Sequence, residues 1–233
     1  MIKNKFARMF TPDGLLVPKK ILKREVFTAS KKFTAPEELN LRGYCTPVEN
    51  QGDLPYCAAY SASSFAENIL WRKRHYHEDI DPAPLYKYAK TIDGAPNTPG
   101  TFLECTLDAL LKKGYFDNKI CKIKTFGGKT QFGNDNCIND LKFAIHQYGC
   151  CIAGFNITDE WYSPGNDNTI DGTGWHRSEG GHAVTICGYD KDRILIMNSW
   201  GTSYADRGFV WITNDAFLKQ FIYAGLLTNV LDD

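Results

Sequence analysis

The chain lacks a net charge, a long apolar run and any Cys-x-x-Cys pair, and each absence removes a class of function. Lysine plus arginine and aspartate plus glutamate both number 27, so nothing argues for a nucleic acid or an anionic membrane as partner. The longest early apolar run, Leu15-Leu16-Val17, falls far short of the ~20 residues that span a bilayer. No stretch has the apolar core of a secretory leader, so the chain is expected either not to be exported by that route or to be already trimmed. Among eight cysteines there is no Cys-x-x-Cys, and Cys150-Cys151 are adjacent, which suits neither a tetrahedral zinc site nor an ordinary bridge. No metal and no cofactor is expected. Mostly free thiols in a reducing compartment are expected instead, with a Cys121–Cys137 bridge left open.

What is present suits one sizeable globular unit, or two lobes sharing a cleft: 233 residues, 43% hydrophobic and 23% charged. The chain is organised around Gln51-Gly52-Asp53-Leu54-Pro55-Tyr56-Cys57-Ala58, where turn residues run into a helix. Ala58 to Trp71 contains no Gly or Pro and places Ala59, Ala62, Phe65, Ala66, Ile69 and Leu70 at helical spacing. A thiol at that junction meets the positive end of the helix dipole, which favours the thiolate. Cys57 is therefore the candidate nucleophile, against the plain alternative of a small buried hydrophobe.

A nucleophile needs a base, an orienting group and a donor for the oxyanion. The β-rich runs on either side of Asp190-Lys191-Asp192 predict an antiparallel hairpin that sets His182 opposite Asn198. A neutral Asn accepts the ring N–H and fixes the imidazole without adding charge. Gln51, six residues before Cys57, offers a side-chain amide beside the Cys57 N–H, which makes two oxyanion donors.

These segments resemble the papain family of cysteine peptidases. Pro47-Val48-Glu49-Asn50-Gln51-Gly52, Cys57, Gly181-His182-Ala183-Val184 and Asn198-Ser199-Trp200-Gly201-Thr202 carry the resemblance, which extends from about residue 36 to the C-terminus. His182 and Asn198 follow Cys57 by 125 and 141 residues, close to the roughly 130–150 of that family. Two departures stand out. Leu54 replaces a cysteine of a structural bridge, and Pro55-Tyr56 replace two small residues before the nucleophile.

The resemblance implies an α+β, papain-like two-lobe fold: a helical lobe, an antiparallel β-barrel-like lobe, and the active-site cleft between them. It implies a monomeric cysteine peptidase acting on peptide or protein substrates through a Cys57 thiolate–His182 imidazolium pair and a thioester. Asn198 would orient His182, and Gln51 would hold the oxyanion. Gly100, Gly181, Ala183 and Trp200 would line the substrate, with Phe221-Ile222 near one pocket. Gly100 reads equally well as plain turn chemistry, and Trp200 as core packing. A thiol amidase, deamidase or acyl transferase on the same fold is the second reading, and an inactive peptide-binding scaffold the third.

Residues 1–35 form a Lys-rich N-terminal extension, either a short pro-segment or a solvated arm, and 36–233 the peptidase domain. Further helices are expected over 84–90, 101–111 and 138–147, a loop over 118–136 and a strand over 150–157. His75 and His77 read as surface groups. The 158–179 loop, with Trp161, Tyr162 and Trp175, either overhangs the cleft or is a plain surface connection. His176 within it is a rival base without an orienting partner.

Overall fold

The computed structural model describes residues 14–17, 25–30, 32–117, 119, 121–173 and 178–229. Trp175, His176 and most of the Lys-rich arm lie outside the described residues. The first long element, α1 (Cys57–Arg74), is buried from Cys57 to Ala59 and from Ser61 to Leu70. Its apolar face is made of alanines and a few large side chains, so neighbours approach closely. It ends in Arg72, Lys73 and Arg74, which complement the negative end of the dipole, and His75 closes it in the left-handed region. Helix α2 (Pro82–Ile92) starts on an Asp81 cap that accepts the Ala83 N–H, with proline in its first turn. With α3 (Leu103–Lys112) these helices pack together as one lobe. Among the described residues no helix is long and apolar enough to cross a membrane.

The second lobe is a sheet. Its strands are β1 (Glu25–Val26), β2 (Leu39–Asn40), β3 (Lys122–Gly127), β4 (Cys151–Thr158), β5 (Thr169–Ile170), β6 (Ser178–Tyr189), β7 (Arg193–Met197), β8 (Phe209–Thr213) and β9 (Phe221–Thr228). They run in the order β1-β3-β9-β4-β6-β7-β8-β5, with β2 paired to β6. The two end pairs, β1 with β3 and β5 with β8, are parallel, and the other pairs are antiparallel. The fold is α+β as expected, but the sheet is open and mixed where an antiparallel barrel-like lobe was anticipated. The helical lobe meets it through α1 against β6 and β4.

Three local expectations differ. The 118–136 stretch is not a plain loop: it contains β3 and a short helix, α4 (Lys129–Phe132). Lys122-Ile123-Lys124-Thr125 alternates as a half-buried strand should, inside surroundings rich in Gly and Asn. The β6–β7 hairpin pairs Thr185 with Met197 and carries a bulge at Cys187, so its register does not set His182 opposite Asn198. His182 pairs with Phe155 on β4, and Asn198 lies just past the end of β7. Part of the N-terminal extension also belongs to the folded body. Phe27 donates its N–H to Thr125 at 2.9 Å and packs on Phe126, Phe143 and Tyr148.

The lobes are stitched where Glu49, Asn50 and Gln51 run beside Ser199, Trp200 and Gly201. Gly201 donates to the Glu49 carbonyl and Gln51 to the Ser199 carbonyl, each at 2.9 Å. The Glu49 carboxyl is pushed up from 4.5 to about 7 by burial and by the charges of Glu67 and Asp79. A carboxyl raised in the folded state contributes stability that is full below its ordinary value and lost as pH rises through about 7. Glu49→Gln is therefore expected to raise the thermal midpoint at pH ~8 by a few degrees, about 1 kcal/mol after discounting the solvent-screened part, and to change little at pH ~4.5. Thermal melts of both chains at the two pH values check this.

Candidate active site

Cys57 is the first residue of α1 and is fully buried. The preceding Tyr56 makes no side-chain cap, so the first-turn N–H groups of the helix are left for other partners. The backbone N–H groups of Ala183, Ala58 and Cys57 itself lie near the Cys57 sulfur and act to lower its pKa. It therefore lies against the strand residue that follows His182. Gln51 reaches the turn before the helix: its Nε2 donates to Leu54 O at 2.9 Å, and its Oε1 accepts from Ser199 Oγ at 2.6 Å. Nε2 has two hydrogens, and Leu54 claims one. Gly52 holds φ +54° in this turn, which only glycine adopts cheaply.

His182 and Asn198 meet although their strand register does not pair them. His182 Nε2 lies 2.8 Å from Asn198 Oδ1, and the same oxygen accepts the Ser199 N–H at 2.8 Å. Since Oδ1 takes a backbone N–H it is the oxygen, so the neutral ring carries its proton on Nε2. Nδ1 then keeps its lone pair and is the nitrogen available to a thiol. Trp200 stacks on the ring at 4.8 Å, Trp161 meets it edge-on at 6.2 Å, and Tyr162 stacks on Trp200 at 5.2 Å. From the 158–179 stretch Trp161 thus reaches the imidazole and Tyr162 the Trp200 ring that covers it.

A segment of the N-terminal extension lies in the cleft. A Cβ at Gly14 would sit 2.5 Å from Cys57 Sγ, and one at Gly181 would sit 2.8 Å from Leu15 O. Leu15 pairs in parallel with Thr101: Leu16 N donates to Thr101 O at 3.0 Å, and Thr101 N to Gly14 O at 3.2 Å. The Leu15 side chain is buried over Gly154, where a Cβ would be 2.5 Å from its Cδ2, and Tyr223 flanks that position.

Of the residues expected to line substrate, Gly181 lies against the segment, the Ala183 N–H lies near the sulfur, and Trp200 covers His182. Gly100 is engaged elsewhere. Its N–H goes to Tyr86 Oη at 3.1 Å and its carbonyl accepts Lys90 Nζ at 3.0 Å, so the pairing edge moves one residue on to Thr101. Phe221 packs into an aromatic cluster with Phe155 and Phe217, and Tyr223 takes the place beside the segment. Tyr56 stacks on Tyr86 at 3.8 Å, which ties the nucleophile turn to the Gly100 turn.

The surroundings act on the charge of both groups. Burial pushes the Cys57 thiol up to about 12, against the lowering by the Ala183 N–H. Burial likewise pushes His182 down to about 4, with the Asn198 bond acting the other way. Burial thus opposes charge on both groups, raising the thiol and lowering the imidazole.

Comparison with known proteins agrees with this architecture. The family model described as papain family cysteine protease matches residues 86–222, a stretch that takes in His182 and Asn198, with Cys57 upstream of it. The chain is 26% identical over 153 residues to a cathepsin B-like cysteine proteinase 3 of Caenorhabditis elegans, covering 60% of this chain and 39% of that protein. It is 22% identical over 216 residues to mouse cathepsin K, covering 82% of this chain and 63% of that one. Among solved structures, xylellain, a cysteine protease from Xylella fastidiosa, superposes with a TM-score of 0.70 at 18% identity, over 94% of this chain and 97% of the other. The chain thus spans well under two thirds of the nematode relative and slightly under two thirds of the mouse one.

Proposed function

The chain belongs to the papain family of cysteine proteases, and from that membership we propose that it is itself a peptidase in which Cys57 is the nucleophile and His182 the base. The observation that carries the reading is the His182–Asn198 bond, which fixes the tautomer and leaves Nδ1 for the thiol of the helix start. Once the cleft opens, water and the α1 dipole favour charge separation, and the Cys57 proton passes to His182 Nδ1. The thiolate attacks a peptide carbonyl. The Cys57 N–H and the second hydrogen of Gln51 Nε2 hold the developing oxyanion. His182 then protonates the leaving amine, and water, activated by the same ring, hydrolyses the thioester. Asn198 keeps the ring in plane through both proton transfers.

The Gly14–Val17 segment acts as a covering arm over this machinery. Its removable part ends before Glu25, since β1 and Phe27 belong to the sheet lobe. In the chain carrying the arm, substrate and water are excluded from the sulfur, so the full-length chain is latent.

A peptide-library digest with an arm-free chain tests the activity. Backbone cleavage is expected. Conversion of side-chain amides with the backbone left whole would instead identify a deamidase on the same fold. Within the proposed mechanism, Asn198→Ala leaves the imidazole unoriented and is expected to lower kcat by roughly 10–100-fold with a smaller change in KM, as steady-state kinetics of the arm-free variant would show.

A further inference from the structure

Lys90 stands in the last turn of α2, but its ammonium does not stay with the helix. A lysine that only complemented the dipole would face the last carbonyls of its own helix, whereas this one reaches past the Asp93 cap into the loop beyond. Nζ donates to Ala95 O at 2.6 Å, Thr98 O at 2.7 Å and Gly100 O at 3.0 Å, and lies 2.7 Å from Asp93 Oδ2. The loop therefore closes around one cation. Asp93 extends the cluster in both directions: its Oδ1 accepts the Ala95 N–H at 2.9 Å and its Oδ2 the Thr101 hydroxyl at 3.0 Å. The Asp93 side chain is wholly shielded and that of Lys90 is 14% exposed, so water competes little for these charge-assisted bonds. A disulfide does not brace the loop, since all eight cysteines are thiols and none lies between Cys57 and Cys105. A metal does not either, since among the described residues no group of His, Cys, Asp and Glu is arranged to hold one.

We propose that Lys90 and Asp93 are positioning residues that hold the Thr101 backbone ready to pair with an extended chain in the cleft, whether the covering arm or a peptide substrate. The substrate half of this rests on the peptidase reading, and the arm half does not. Thr101 is where the cleft meets a backbone: its N–H goes to Gly14 O at 3.2 Å and its carbonyl takes the Leu16 N–H at 3.0 Å. Both bonds form only if the two groups face the cleft together, and the groups around them are fixed from behind. Lys90 holds the Gly100 carbonyl, Tyr86 the Gly100 N–H, and Asp93 the Thr101 hydroxyl. The arm also shows the reach of this edge. Gly14 is the residue whose Cβ would meet the Cys57 sulfur, and its neighbour Leu15 is the one level with Thr101. A substrate with a single residue before the cut therefore stays short of Thr101, and a longer one pairs with it. Lys90 touches no reacting atom and acts through Thr101.

The test begins with the full-length chain and its Lys90→Met variant, which keeps the apolar stem and removes the ammonium. Iodoacetamide labelling of Cys57, followed by peptide mapping, is expected to run roughly 10-fold faster in the variant, because the arm loses its pairing edge. In the arm-free chains, kcat/KM is then measured for an acetylated tripeptidyl amide and for an acetylated single-residue amide with the same residue before the cut. The ratio of the two is expected to fall roughly 10-fold in Lys90→Met, mainly through KM of the longer substrate. Lys90→Arg should recover only part of each effect, since a planar fork does not aim its hydrogens at three converging carbonyls. A general loss of stability would shift the thermal midpoint and leave the ratio unmoved. Asp93→Asn, expected to move both readouts in the same direction by less, decides in its place if Lys90→Met does not fold by circular dichroism. A folded Lys90→Met chain that matches its parent in either readout overturns the proposal. Should the arm-free parent cleave neither amide, the peptidase reading fails and the labelling rate alone decides the positioning role.

Discussion

Replacing Cys57 by alanine in an arm-free chain is expected to lower kcat/KM for peptide hydrolysis by roughly 10⁴-fold or more, to the background left by binding and the oxyanion donors. The effect is this large because the thiol is placed both at the start of α1 and beside the residue that follows His182. Folding should survive, since Cys57 is followed by Ala58 and Ala59 in the same packed face and alanine removes one sulfur from it. Circular dichroism alongside the kinetics separates lost chemistry from lost structure. His182→Ala is expected to give a loss of similar size, and the double variant little more than either, because the two act as one unit.

Removing the covering arm is expected to change activity in the opposite direction. A tethered segment sits at an effective concentration on the order of millimolar, so a contact of even ~10 µM intrinsic affinity suppresses turnover roughly 100-fold. A chain beginning at Arg24 should gain about that factor. It keeps β1 and Phe27, whose backbone bond to Thr125 and ring contacts belong to the sheet lobe. Gly14→Val in the full chain makes the same point without truncation. Its Cβ would lie 2.5 Å from Cys57 Sγ and 3.1 Å from the Pro55 backbone, so the segment must lift. If both changes leave activity unchanged, the arm does not restrain the enzyme.

The legible parts of this molecule were those written locally. Cys57 announced itself by turn residues running into a Gly- and Pro-free helix, and α1 to α3 by apolar spacing that the packed lobe then used. His182 and Asn198 were paired correctly for a reason that failed in detail. The hairpin already sets Tyr189 opposite Ile194 at its turn, a shift that the Cys187 bulge only partly offsets, and the two side chains meet because Asn198 lies just beyond the end of β7. Bulges leave no dependable mark on periodicity.

That the segment pairs with Thr101 while Gly100 is engaged by Tyr86 and Lys90 from α2 was invisible in a linear reading, since such partners lie far apart in the chain. Trp161 and Tyr162 sit in a Gly-, Asn- and Asp-rich stretch, so their packing on His182 and Trp200 had no sequence signal beyond their being aromatic. The approach of Gly14 and Leu15 to the site was equally illegible, since they lie more than forty residues upstream of Cys57 and had no motif to connect them with it.

The most direct test of the account is covalent labelling of the arm-free chain by a thiol-directed epoxide, followed by peptide mapping. The expected result is one adduct, on Cys57, formed far faster than in the chain that keeps its arm and slowed when His182 is replaced. A folded arm-free chain that leaves Cys57 unmodified, or is labelled equally well without His182, would contradict it.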